Sequence, residues 1–101
     1  MHYVYVLFSL ADHKLYIGFT SDLKRRIAEH NRGGTISTKC RRPLKLIYYE
    51  SHISENDARR RESYFKTEKG KSSLRQMLRT TLSDLGYSRP VVPTKKTELT
   101  E

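Results

Sequence analysis

The sequence predicts a small α/β domain, a three-stranded antiparallel sheet flanked by helices in the order β-β-α-β-α-α. Three observations carry this expectation. The first 20 residues hold two β-branched and aromatic runs separated by a turn, three later segments show apolar residues at helical spacing, and a third strand-like run lies between the first two of those segments.

Tyr3-Val4-Tyr5-Val6-Leu7-Phe8 reads as a strand covered on both faces, Ala11-Asp12-His13 as a turn, and Lys14 to Thr20 as the returning strand of a hairpin. Side chains alternate across a strand, so Tyr3, Tyr5 and Leu7 share one face, and Tyr16, Gly18 and Thr20 share one face of the partner. An even number of unpaired turn residues brings both tyrosine sets to the same side, and an odd number separates them. Gly18 leaves a gap beside the tyrosines that a backbone or ligand can approach.

Thr20-Ser21-Asp22 offers N-caps for a helix over about 22–32, closed by Gly33-Gly34. Its inward stripe is Leu23 and Ile27; Arg26 and His30 line the edge of that stripe, and Lys24, Arg25 and Arg32 face outward. A polar, basic loop from Thr35 to Pro43 follows, then a strand from Leu44 to Tyr49, whose tyrosines suit a half-buried position. Ser54 and Asp57 resemble a cap opening a second helix, with Ala58, Glu62 and Phe65 on one face. Gly70 marks a break before a third helix carrying Leu74, Met77, Leu78 and Leu82. Residues 1–85 form the predicted domain, and 86–101 a polar tail expected to be disordered.

A chain of 101 residues makes one domain with a modest core. Its 20 Lys and Arg against 11 Asp and Glu give a net charge of +9, which favours a polyanionic partner, nucleic acid foremost. Fourteen of the 20 basic residues fall between Lys24 and Lys71. The lone Cys40 has no partner for a disulfide and no Cys or His at zinc-site spacing, which fits a reducing cytoplasm. The apolar run Tyr3 to Leu10 is too short to span a bilayer, so no membrane association is expected. Gly70-Lys71-Ser72 imitates the end of a P-loop but lacks the first glycine and the preceding strand, which excludes a nucleotide cofactor on that basis.

Tyr5, Tyr16, Arg26 and Glu62 together offer a phenol pair, a cation and a carboxylate, which is chemistry suited to a phosphodiester. Taken singly, each has an ordinary reading. Arg26 can be a solvated helical arginine and His30 a capping or surface histidine, while Glu62, a carboxylate on an apolar stripe, can pair with Arg61, Lys66 or Arg26 instead of a metal.

The order and spacing of Tyr3-Val4-Tyr5, Tyr16-Ile17-Gly18, Arg26, His30 and Glu62 resemble the GIY-YIG nucleases, in particular small stand-alone members. The resemblance covers roughly Tyr3 to Leu82 and extends to the nuclease domain of the bacterial-type excision-repair endonuclease and to homing endonucleases. It implies that Tyr5 and Tyr16 carry catalytic hydroxyls, that Arg26 contacts the scissile phosphate, that His30 positions the phosphate or tunes a tyrosine, and that Glu62 binds a divalent metal, Mg²⁺ or Mn²⁺. Two departures stand out: Tyr3 replaces the usual glycine of the first motif, and no late-helix asparagine follows Asn56.

The activity implied is metal-dependent endonucleolytic hydrolysis of DNA, structure-selective or weakly specific, of use in repair or recombination, by a monomer or weak dimer. Either tyrosine can be the base in this reading, with activity rising toward alkaline pH. Lys24, Arg25, Lys39, Arg41, Arg42, Arg59, Lys66, Lys69 and Lys71 are the expected nucleic-acid contacts. The alternatives are a catalytically silent nucleic-acid-binding module and a basic protein-interaction module.

Overall fold

The computed structural model describes residues 1–87, and these form a three-stranded antiparallel sheet with four α-helices. The strands are β1 (His2–Ser9), β2 (Leu15–Thr20) and β3 (Leu44–His52), in spatial order β2-β1-β3. As the central strand, β1 is covered on both faces, which explains its unbroken apolar run from Val4 to Phe8.

In the hairpin, Tyr5 pairs with Gly18 and Leu7 with Tyr16, so the loop between the strands has the even parity that puts Tyr5 and Tyr16 on one face. The β1–β3 register shifts between Val6 and Leu7, a bulge that leaves Ile47 as the extra residue of β3. The bulge sends Ile47 and Tyr48 to one core and Leu44 and Leu46 to the other.

The two faces bury different clusters. On one, Val4, Val6 and Ile17 pack with Ala58, Phe65 and Leu74. On the other, Tyr5, Leu7 and Leu44 pack with Tyr16, Leu23, Ile27 and Leu46. The helix α1 (Leu23–Arg32) covers the second face, while α2 (Glu55–Phe65) and α3 (Glu68–Met77) cover the first.

Caps set the helix limits. Asp22 accepts from the Arg25 N–H at the start of α1, and Gly33 closes it at φ 83°, a left-handed conformation that favours glycine. Ser54 accepts from the Asp57 N–H to start α2.

The second break differs from the sequence expectation. The chain turns at Lys66 and Thr67, whose hydroxyl caps α3 by accepting from the Gly70 N–H, and Gly70 sits inside that helix. A Cβ on Gly70 would overlap the Tyr64 carbonyl, so glycine serves the close approach of α3 to the end of α2. The expected third helix is also two: α3 ends at Leu78 and α4 (Arg79–Asp84) follows. Leu74 and Leu82 are buried there, but Met77 is exposed. Residues 88–101, nearly all of the expected disordered tail, lie outside the described residues. Among the described residues no helix is long and apolar enough to cross a membrane.

Candidate active site

Tyr5 is the centre of the arrangement. Its ring leans across β2 at Gly18, where a Cβ would overlap Cζ and Oη of the phenol. It is 1% exposed, and its ring centroid lies 6.4 Å from that of half-buried Tyr16. Glycine here is a requirement of packing between two adjacent strands, because any side chain would occupy the volume of the phenol.

His30, one helical turn beyond Arg26, is fully buried, and its ring centroid stands 5.1 Å from Tyr16 in an edge-on arrangement. Its Nε2 is 2.8 Å from the Tyr5 hydroxyl and its Nδ1 is 2.7 Å from the hydroxyl of Thr38, itself fully buried. Burial, followed by the charge of Arg26, lowers the pKa of His30, so the ring is held in its neutral form.

Arg26 reaches the same phenol. Burial pushes the Tyr5 pKa up to about 12, while the nearby Arg26 guanidinium pulls it down and the neighbouring Tyr16 raises it. The guanidinium is oriented by Glu29, with Nη1 3.0 Å from Oε1. Glu29 also accepts from Arg25 at 3.2 Å, and the bond from Arg26 holds its carboxyl below the ordinary value.

Glu62 comes from α2, on the opposite face of the sheet from α1, yet its charge contributes to raising the pKa of Tyr5. The two sides meet at β2, the edge strand that Tyr5 overhangs. The Glu62 side chain is 19% exposed, and Oε2 accepts from Lys66 Nζ at 2.9 Å. Among the described residues no three His, Cys, Asp or Glu side chains form a ligand cluster. That donor set does not suit a structural zinc. A lone, partly exposed carboxylate does suit Mg²⁺ or Mn²⁺, hard ions that keep several waters and accept substrate phosphate oxygens as ligands.

The expected nucleic-acid contacts divide in two. Lys24, Lys39, Lys69 and Lys71 form no ion pair among the described residues, whereas Arg25 pairs with Asp22 and Glu29, Arg59 with Glu55, and Lys66 with Glu62. Arg59 also lies over the Phe19 ring at 4.2 Å. Arg41 is committed inside the fold: Nε donates to Asp12 at 2.7 Å and Nη2 to the Leu15 carbonyl at 3.3 Å. Arg42 donates to the Lys39 carbonyl and lies against Gly33.

Two residues of this centre escape sequence reasoning. Glu29 had a local signal, since it stands three residues after Arg26 and four after Arg25 on one helix. Thr38 had none, because it lies in an irregular loop and meets His30 only through the return of the chain. A concavity of about 690 Å³ between α1 and β3 is lined by Tyr3, Lys24, Ile27, Leu46 and Tyr49, among others, and contains none of these residues.

Residues 1–76 match the family model described as the GIY-YIG catalytic domain. A UPF0213 protein of Pediococcus acidilactici is 44% identical over 78 residues, covering 74% of this chain and 79% of the relative. One of Staphylococcus haemolyticus is 46% identical over 67 residues, covering 65% of this chain and 80% of the relative. Among solved structures, the solution NMR structure of a UPF0213 protein from Bacillus halodurans is 34% identical, with a TM-score of 0.48 and coverage of 75% of this chain and 83% of that one. With its two tyrosine motifs on one sheet face and a family match spanning most of its length, the chain belongs to the GIY-YIG catalytic domain family, and the relatives named here are small UPF0213 proteins.

Proposed function

We propose that this protein is a metal-dependent endonuclease that hydrolyses phosphodiester bonds in DNA. One observation carries the reading: Tyr5, Tyr16, Arg26 and His30, drawn from two strands and one helix, gather where Tyr5 crosses the edge strand at Gly18, and the charge of Glu62 on α2 acts on the same phenol.

Each group has a task. Arg26, already aimed by Glu29, offers the rest of its guanidinium fork to the non-bridging oxygens of the scissile phosphate, where negative charge grows. Tyr16, acting as its phenolate, receives the proton of the attacking water, and a phosphorus–oxygen bond forms to that water as the bond to the leaving oxygen breaks with its electron pair on that oxygen. Glu62 would hold the divalent ion, whose charge stabilises the phosphate oxygens and the leaving oxygen. Tyr5 is the worse base in the resting protein, because its pKa is pushed up to about 12.

His30 and Thr38 orient Tyr5. Two hydrogen-bond directions are open along Thr38–His30–Tyr5. In one, Thr38 donates to Nδ1 and Nε2–H donates to the Tyr5 oxygen; in the other, Tyr5 donates to Nε2 and Nδ1–H donates to the Thr38 oxygen.

The test is incubation of supercoiled plasmid and branched DNA with Mg²⁺ or Mn²⁺, comparing wild type with Glu62→Gln and Arg26→Ala. Wild type is expected to nick, and both variants to lose most of that activity. A wild type that never nicks, or a Glu62→Gln variant that nicks equally well, rejects the reading.

A further inference from the structure

Away from the catalytic centre, the β1–β2 turn and α3 enclose a cleft of about 370 Å³. His13 and Lys14 line it from the turn, Lys71 and Arg75 from α3, and Tyr87 from the segment after α4. A second hollow of about 330 Å³ shares Arg75 and Tyr87 and adds Arg79, so the two form one groove around Tyr87.

The charges of this groove are uncompensated. Among the described residues, the ion pairs engage Arg25, Arg26, Arg41, His52, Arg59, Arg60, Arg61 and Lys66, and none of Lys14, Lys71, Arg75 or Arg79. The one carboxylate on the lining, Asp12, is already held by Arg41 at 2.7 Å. Lys71 and Arg75 stand four residues apart on one helix and therefore point the same way. An arrangement that keeps like charges together in a concavity favours an anion with regularly spaced charges.

Aromatic rings stand beside those cations. Buried Phe8 anchors His13 on one side, centroids 5.4 Å apart, and Tyr87 on the other, 6.4 Å apart and edge-on. His13 is exposed and adopts φ 59°, a conformation uncommon for a residue with a side chain. Planted rings interleaved with free cations are the surface that single-stranded nucleic acid uses, bases on rings and phosphates on cations. Lys14 of the groove precedes Tyr16 by two residues, roughly 7 Å along an extended chain.

We propose that this groove is a second nucleic-acid site, which holds phosphates and unstacked bases of a strand flanking the bond to be cut. The proposal rests on the nuclease reading for the identity of the strand, but it makes its own prediction about binding. Anisotropy of a fluorescein-labelled single-stranded oligonucleotide without metal, titrated at several salt concentrations, reads it directly.

Removing both cations in Lys71→Ala/Arg75→Ala is expected to weaken binding and to lower the salt slope by about 1.4, the value for two lost phosphate contacts on a single strand. Tyr87→Ala should weaken binding with the slope unchanged. Lys71→Arg/Arg75→Lys should restore the slope, and Arg32→Ala/Arg60→Ala, neither of which lines the groove, should not reproduce the effect of Tyr87→Ala or the full loss of slope. An unchanged slope in Lys71→Ala/Arg75→Ala, or polyglutamate competing as well as unlabelled oligonucleotide, overturns the proposal. If the groove assignment alone is wrong, wild type still nicks plasmid and the double variant binds and nicks as wild type does; if the nuclease reading is wrong, wild type does not nick at all.

Discussion

The hydroxyl of Thr38 lies 2.7 Å from Nδ1 of His30, and both side chains are fully buried, so a loop residue fixes the ring that touches Tyr5. Thr38→Val keeps the shape and removes the hydrogen bond. Stability is expected to fall by about 1–3 kcal/mol, the cost of a buried polar group left without its partner. With the ring free to turn, kcat should fall while KM changes little, because Arg26 still binds phosphate; Thr38→Ser should restore both. Urea unfolding and steady-state kinetics check this, and a stability loss with unchanged kcat would show that Thr38 serves the fold alone.

Gly18 is the second sensitive point. In Gly18→Ala the new methyl overlaps the Tyr5 ring, which is buried and hydrogen-bonded to His30 and has nowhere nearby to go. Overpacking of this kind costs about 1–3 kcal/mol. Displacement of the phenol should also reduce nicking beyond what the stability loss explains. Thermal melts with assays far below the melting temperature separate the two effects; full activity in a stably folded Gly18→Ala would mean that the phenol's position does not matter.

Much of this was legible in the chain and some of it was not, for reasons of distance along the sequence. The hairpin, the caps at Asp22 and Ser54, and the stripe of Leu23 and Ile27 follow from neighbours within a few residues, where backbone periodicity dominates. Gly70 misled because a glycine in a helical pattern usually signals a break, whereas here it permits contact with the Tyr64 carbonyl across a helix junction. The commitment of Arg41 to Asp12 spans 29 residues, and the bulge at Ile47 depends on β1–β3 register, which no local pattern encodes. The influence of the Glu62 charge on Tyr5 from the opposite face of the sheet is likewise a property of topology.

Stability should depend on pH through His30. Its pKa is lowered by burial and by Arg26, so the folded protein binds that proton less readily than the unfolded chain, whose histidine titrates near 6.5. The contribution is therefore fully present above about pH 6.5 and is lost as pH falls below it. Glu29 is held low by Arg26, and Glu50, which burial raises, is held low on balance by Arg61; both titrate in the carboxylate range, below this window. The urea midpoint of wild type should drop between pH 7.5 and 5.5, and His30→Gln should show a smaller drop. An equal drop in both proteins would assign the pH dependence elsewhere.

The two phenols should separate by kinetics. Ionising Tyr5 at pH 7 from a pKa of about 12 costs roughly 7 kcal/mol, more than the roughly 4 kcal/mol of a free phenol, and its side chain is almost fully buried. Tyr16 lies on the same face, half-buried, with its ring edge-on to His30. Removing a general base typically costs 10²–10⁴-fold, so Tyr16→Phe should lose about that much and also lose the rise of kcat/KM toward alkaline pH. Tyr5→Phe removes an anchor for His30 and Arg26 but not the proton acceptor. It should lose less activity and keep the alkaline rise. Profiles of kcat/KM from pH 6 to 9 for the three proteins decide between the tyrosines: a flat profile in Tyr5→Phe with the rise preserved in Tyr16→Phe would transfer the role of base to the buried phenol.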